Sequence, residues 1–355
     1  MKIIKSIVIV VLVLALLAGG ALYAIQSGVL FQTPVAVEYK PQPYGEDTPE
    51  ETIVPEETEP VETEPEQEET QPPETEPTAP PPTDPETGEP IVEEPREITA
   101  KKYFVYDVRA GEYLLKVDSE SGKLYPASIT KLLTCYVVLQ YADPEETIVA
   151  AEDVLELVDW DSSIAGIEEG DVLTVEQLIA GMMLPSGNDA AHIAATMVGR
   201  RLAEDETLPA ADAVEVFMEE MNVQAKTLGM ENSHFVTPDG FHRENHYTTM
   251  DDLVILCQKV LADPVILKYA SRATDAAILP DRTLEWKNTN LLLHPEFEGY
   301  LSNTIGLKTG YTDAAGDCLV SAFFEEDRLL LIGVFEATPH SKDRYLDTVD
   351  IYNSL

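Results

Sequence analysis

The sequence is short of cysteine, of basic residues and of tryptophan. Its three cysteines, Cys135, Cys257 and Cys318, are odd in number, far apart and set in apolar stretches, so no disulfide framework is indicated and all three read as small core residues. Lys and Arg number 23 against 65 Asp and Glu, a net charge of −42. No basic groove is visible, which excludes nucleic acid and anionic membrane surfaces as partners of the folded part. The six histidines never fall at a zinc spacing such as His-Glu-x-x-His. His192 lies in a helical stretch, while His234, His242 and His246 cluster near a loop; all read as structural, and neither a metal nor a cofactor is implied. Met182, Met183, Trp160 and Trp286 read as packing residues, the tryptophans at core or rim.

Two N-terminal stretches lack what a packed core requires. From Ser6 to Val37 there is no charged residue, and the apolar run that follows Lys2 and Lys5 marks a secretory signal or a membrane anchor. Small residues at Ala18-Gly19-Gly20-Ala21 would suit cleavage, but the run to Ile25 is long enough to span a bilayer, and residues 1–37 are expected to stay as an uncleaved anchor. Residues 38–97 are dominated by Pro, Glu and Thr, with 21 acidic residues against Lys40 and Arg96. Such a segment buries too little apolar surface to offset ordering its backbone, and it should be a disordered, extended spacer. Residues 98–355 remain as the folded domain, expected outside the cytoplasm. Because the sequence stops soon after its last helical stretch, membrane attachment is expected through the N-terminus alone.

Within that domain, residues 103–108 and 113–117 are apolar runs joined by Arg109-Ala110-Gly111-Glu112, a β-hairpin. Residues 129–140 are apolar nearly all round, as in a buried helix opened by Pro126-Ala127-Ser128. Thr174 and Gln177 form a capping box for a helix over 175–184, which Pro185 ends, and further helices are predicted over 190–202, 213–228 and 250–261. Strand patterns return after Leu284, at 305–311, 319–324 and 329–335, before a helical tail from Ser341. Strands at both ends around helices predict an α/β (α+β) fold: an antiparallel sheet flanked by helices, with a helical subdomain set into it.

Three short motifs carry chemistry. Ser128-Ile129-Thr130-Lys131 puts a hydroxyl and an amine three residues apart on one face of a helix start, within reach of proton transfer and beside the free N–H groups of a helix N-terminus. Burial beside Leu132, Leu133 and Cys135, with a second cation nearby, would lower the proton affinity of Lys131 enough for it to act as a base. Ser186-Gly187-Asn188 sits on a corner between helices, where the hydroxyl could relay a proton and the amide could hold Lys131 and a substrate carbonyl. Lys308-Thr309-Gly310 lies in a strand; its first two residues would meet a carboxylate, and Gly310 would let a ligand backbone approach. Each motif is weak alone, whereas the three in this order, each on the element its role requires, are specific.

With these motifs the chain resembles the serine D-alanyl-D-alanine carboxypeptidases, the low-molecular-mass penicillin-binding proteins. The likeness extends through Pro185 to Ala191, Leu228-Gly229-Met230, His234-Phe235, Pro238-Asp239-Gly240 and Gly306 to Thr312, and covers roughly Lys101 to the C-terminus. It implies a β-lactamase/transpeptidase-like fold whose helical subdomain carries the Ser-x-Asn corner. It implies also a mechanism in which Ser128 attacks the carbonyl between two D-alanines of a peptidoglycan stem peptide, Lys131 takes its proton and Ser186 passes it to the departing D-alanine. Asn188 would position substrate and base, Lys308 and Thr309 would bind the terminal carboxylate, and the N–H groups of Ser128 and Tyr311 would form an oxyanion hole. β-Lactams would acylate the same serine. Relatives use a further basic residue near the C-terminal strands, for which Arg344 is a candidate.

Two other readings are weaker. A β-lactamase with a Glu-activated water would need a glutamate after the second motif, but Glu168 and Glu169 precede it. A silent wall-binding module would show a damaged motif, and all three are intact.

Overall fold

The computed structural model describes residues 96–119 and 122–355. The expected anchor over 1–37 and the linker, up to residue 95, lie outside the described residues.

Strands β1 (Lys102–Asp107) and β2 (Glu112–Val117) form the expected hairpin. At its bend Gly111 takes φ +73°, and Asp107 Oδ1 accepts the N–H groups of Arg109 and Ala110, each at 3.0 Å. Near the other end of the chain come β3 (Thr304–Thr312), β4 (Gly316–Glu325) and β5 (Arg328–Ala337). The five strands pair in the order β2-β1-β5-β4-β3, antiparallel throughout. The first strand therefore lies against the last, in a register running from Lys102 opposite Phe335 to Asp107 opposite Leu330.

Alternate side chains of the sheet enter two cores. Phe104, Val320 and Leu331 face the larger one, shared with the helical layer, while Val105, Leu319 and Ile332 face a smaller one. The smaller core is closed by helix α7 (Asp343–Asn353) through Tyr345 and Ile351. The larger contains α1 (Lys131–Tyr141), α2 (Val175–Met183), α3 (Asn188–Leu202), α4 (Ala210–Leu228), α5 (Met250–Leu261) and α6 (Pro264–Ala270). Leu132, Leu133, Cys135, Val137 and Val138 of α1 are fully buried, as expected of a helix apolar nearly all round. The three cysteines are free and buried, and Met182, Met183 and Trp286 are core residues.

Thr174 and Gln177 make the reciprocal capping box at the start of α2, with Gln177 N donating to Thr174 Oγ1 at 3.1 Å and Thr174 N to Gln177 Oε1 at 2.8 Å. The helix stops before Pro185, and α3 begins at Asn188, so residues 185–187 form the sharp corner that the sequence implied.

Several elements differ from the sequence-based expectation. The nucleophile segment opens as a 3₁₀ turn, Ala127–Thr130, and becomes α-helical only at Lys131, because Ala127 is held at φ +48° under a neighbouring loop. A second hairpin, Thr274–Ile278 with Thr283–Lys287, begins before the expected return to strands; Thr274, Ala276 and Ile278 are exposed, so its first strand carries little apolar signal. Trp160, expected at core or rim, is 95% exposed.

The N-terminal edge of the domain is fastened to α7. Asp347, with no exposed surface, accepts Thr99 N at 3.2 Å, Thr99 Oγ1 at 3.0 Å, Ala100 N at 2.9 Å and Arg96 Nη2 at 2.5 Å. Arg96 Nε reaches Asp350 as well, at 3.0 Å.

Candidate active site

Ser128 lies on the 3₁₀ turn and Lys131 begins α1, so the three-residue spacing brings both side chains to one edge. Lys131 Nζ donates to Ser128 Oγ at 2.9 Å, to Asn188 Oδ1 at 2.7 Å and to the Asp239 carbonyl oxygen at 2.9 Å. All three donor positions of an ammonium are thus engaged. The lysine has no exposed surface, and this burial lowers its pKa to about 8 although Asp239, Asp189 and Cys135 act in the opposite sense. The expected second cation is Lys308, close enough that the two ammonium groups repel each other, while the carboxylates of Asp239 and Asp189 oppose the effect of burial.

Each partner of Lys131 is itself held. Asn188 starts α3 and donates through Nδ2 to Ser162 Oγ at 2.9 Å, while its backbone N–H meets Ser163 O at 2.8 Å. The loop carrying Ser162 is drawn in by the neighbouring Asp189, whose carboxylate accepts the N–H groups of Ala165, Gly166 and Ile167 at 2.8, 3.0 and 3.1 Å. Ser186 occupies the left-handed region at φ +66°, a strained setting for a non-glycine residue, and faces the cleft from the corner.

The segment over 236–241 closes above α1. Thr134 Oγ1 donates to Pro238 O at 2.5 Å, and Asp239 Oδ1 accepts Phe241 N at 2.9 Å. His246, its pKa lowered to about 4 by burial, accepts Val236 N at 3.2 Å and meets Thr130 Oγ1 at 2.9 Å. Gly240, at φ +84°, packs on the nucleophile turn so closely that any Cβ would strike the carbonyl oxygen of Ala127.

The Lys308-Thr309-Gly310 strand forms the opposite wall. A Cβ on Gly310 would lie 2.8 Å from Pro126 O and 3.2 Å from Ser128 N. The glycine therefore serves the approach of the protein's own nucleophile turn, rather than only that of a ligand. Thr309 Oγ1 meets Thr289 Oγ1 at 2.6 Å. Lys308 is buried below, with Nζ donating to Thr309 O at 3.1 Å, and burial together with Lys131 and Arg344 lowers its proton affinity.

A cleft of about 600 Å³ joins these parts; Ser128, Ser186, Asn188, Thr309, Gly310 and Tyr311 all line it. Lys131 and Lys308 are just beneath that surface. Arg344, at the start of α7, lines it too, donating through Nη1 to Gly310 O at 2.9 Å and pairing through Nη2 with Asp317 Oδ1 at 2.7 Å.

The eight residues singled out in the sequence thus form the walls and immediate underside of one cleft. Sequence reasoning left Arg344 as a bare candidate and gave no role to Ser162, Thr289 or Asp239. No short motif marks Arg344, Ser162 or Thr289; Asp239 stood inside a family-like stretch, Pro238-Asp239-Gly240, which was its available signal. Among the described residues no cluster of His, Cys, Asp and Glu could hold a metal ion.

A central antiparallel sheet, a helical layer and a serine-lysine pair in the cleft between them define the class: this is the DD-peptidase fold. The structure of a Streptomyces DD-transpeptidase superposes with a TM-score of 0.64 at 28% identity, covering 74% of this chain and 98% of that one. The chain belongs to the D-alanyl-D-alanine carboxypeptidase family, whose model matches residues 89–338. Relatives include the carboxypeptidase DacF of Bacillus subtilis, 27% identical over 250 residues, 69% of this chain and 59% of that protein. A D-alanyl-D-alanine carboxypeptidase of Mycobacterium tuberculosis is 31% identical over 237 residues, 66% of this chain and 74% of the relative.

Proposed function

We propose that this protein removes the terminal D-alanine from peptidoglycan stem peptides through an acyl-enzyme on Ser128, and that β-lactams acylate the same oxygen. The observation that carries this reading is the fully buried Lys131 Nζ at 2.9 Å from Ser128 Oγ, held by Asn188 and the Asp239 carbonyl. With a pKa near 8, a useful fraction of Lys131 is neutral at physiological pH and accepts the hydroxyl proton as Ser128 Oγ bonds to the substrate carbonyl carbon. The developing oxyanion meets the N–H groups of Ser128 and Tyr311, each such donor contributing about 3–4 kcal/mol. As the C–N bond breaks, the proton passes from Lys131 through the Ser186 hydroxyl to the departing amine, and D-alanine leaves. Water then cleaves the ester. Thr309 and Arg344 face the cleft where the terminal carboxylate binds, with Lys308 adding positive potential from beneath.

Glu168 gives the β-lactamase alternative no support: it is 75% exposed and lies 3.7 Å from Arg282 Nη2. Residues 1–37 anchor the chain in the membrane and residues 38–95 space the domain from it, outside the cytoplasm, the expected linker ending two residues early because Arg96 is paired with Asp347 and Asp350; the charge-free run behind Lys2 and Lys5 and the acidic Pro-rich composition support this.

Release of D-alanine from a diacetylated Lys-D-Ala-D-Ala peptide by the full chain, with Ser128→Ala as control, tests the activity. Equal release by both proteins would reject it. Recovery of the protein in salt-washed membranes tests the anchor, and recovery as a shortened soluble chain would reject that.

A further inference from the structure

Lys131 must exchange a proton inside a closed site, so whatever charge lies near it sets when it can work. Asp239 touches it by one atom only, the carbonyl oxygen at 2.9 Å from Nζ. The carboxylate of the same residue is 1% exposed, and it receives a single backbone donor, Phe241 N. Its second oxygen, Oδ2, faces His192 Nε2 at 3.4 Å. His192 projects from α3, the helix that Asn188 begins, and its Nδ1 has no hydrogen-bond partner among the described residues. Asp189 is different: three N–H groups of the 165–167 loop and its own neighbour's N–H saturate its carboxylate, which gives it a structural task.

We propose that Asp239 is a positioning residue for Lys131, fixing the amine with its carbonyl and setting its proton affinity with its carboxylate, whose Oδ2 faces His192 without a hydrogen-bond partner among the described residues. A buried anion beside an ammonium favours the protonated form, and the field is strong where water is excluded. Asp239 is the strongest of the groups that oppose burial at Lys131, and Lys131 in turn lowers the pKa of Asp239. The other titratable groups around the pair are Asp189 and His192 on α3, Cys135 one turn along α1, Lys308 on β3, and His246 beyond Asp239. Without the carboxylate, burial alone would strip Lys131 of its proton too readily. More of the lysine would then be neutral at low pH, but each neutral amine would be a weaker acceptor of the Ser128 proton.

This inference rests on the proposed serine acylation, and the experiment separates the two. The second-order rate of acylation of the full chain by a fluorescent penicillin is measured from pH 5.5 to 9.5, for the wild type, Asp239→Asn, Asp239→Ser and Asp239→Glu. Failure of the wild type to label at Ser128 would overturn the proposed function itself. Given labelling, both neutral variants should carry the acidic limb of the profile downward by at least half a pH unit, so that the variant-to-wild-type ratio is about threefold higher at pH 6.5 than at pH 9. Asp239→Glu should return the limb toward the wild-type position. Neutral variants that lose amplitude with the limb unmoved would show a merely structural role and overturn the proposal. If neither neutral variant folds, His192→Leu is read instead: a carboxylate without the imidazole that faces it should push the limb upward, and an unmoved limb overturns the proposal.

Discussion

Arg344 Nη1 donates to the Gly310 carbonyl oxygen at 2.9 Å, so the first turn of α7 grips the strand directly behind the nucleophile turn. Its other arm neutralises Asp317, a carboxylate with no exposed surface whose pKa burial pushes up. Arg344→Ala should therefore have two separable effects. The value of kcat/KM for a peptide ending in a free carboxylate should fall about 10- to 100-fold, or about 1.4–2.8 kcal/mol, with a much smaller loss for the terminal carboxamide. Urea denaturation should show a loss of about 3 kcal/mol, because the change strands a buried charge, and Asp317→Asn in the same chain should recover part of it.

The pH dependence of acylation follows from Lys131. Its pKa is depressed to about 8, and the neutral amine is the working form, so the rate should rise with pH through about 8 and decline below it. Lys131→Met should lose at least about 1,000-fold in acylation rate, and Lys131→Arg should not rescue it, since a guanidinium keeps its proton. Stopped-flow labelling by a fluorescent penicillin across pH is the measurement.

Gly310→Ala puts a methyl group 2.8 Å from Pro126 O and 3.2 Å from Ser128 N, so the strand or the nucleophile turn must shift. Acylation should fall about 100-fold, since displacements of ångström size in a positioned site cost that much. The melting temperature should drop by only a few degrees. Gly240→Ala is the harsher change, with a positive φ and a backbone oxygen in the way, and should yield little folded protein by circular dichroism.

Asp347→Asn should be destabilising although Asp347 does not itself line the cleft. The carboxylate serves four donors from Arg96, Thr99 and Ala100, whereas a neutral amide accepts through one oxygen and turns a donor group toward the same N–H groups. A loss of about 2–3 kcal/mol in urea denaturation is expected, with the acylation rate of the folded fraction unchanged.

Much of this was legible in the sequence because the informative signals are local. A capping box, a Pro stop and an apolar helix fix 131–141 and 175–188 without reference to anything distant, and they place Ser128, Lys131, Ser186 and Asn188 on the right elements. The strand carrying Lys308 was equally clear. The hidden parts depend on contacts across long stretches of chain. That Arg344 would reach Gly310, that Thr289 would meet Thr309, or that Ser162 would be drawn to Asn188 by the carboxylate of Asp189 depends on tertiary packing, which periodicity does not encode. The approach of the nucleophile turn to Gly310 was hidden for a similar reason: a glycine signals close approach, but not by what.

The pairing of β1 with β5 has a consequence for biogenesis. Tyr103 and its neighbours cannot complete their ladder until Val334 has been synthesised, more than 200 residues later. At about 5–20 residues per second this leaves the leading hairpin without its central partner for roughly ten seconds or more. An apolar edge exposed for that long is a target for other chains, so assembly should depend on a chaperone keeping the nascent hairpin apart.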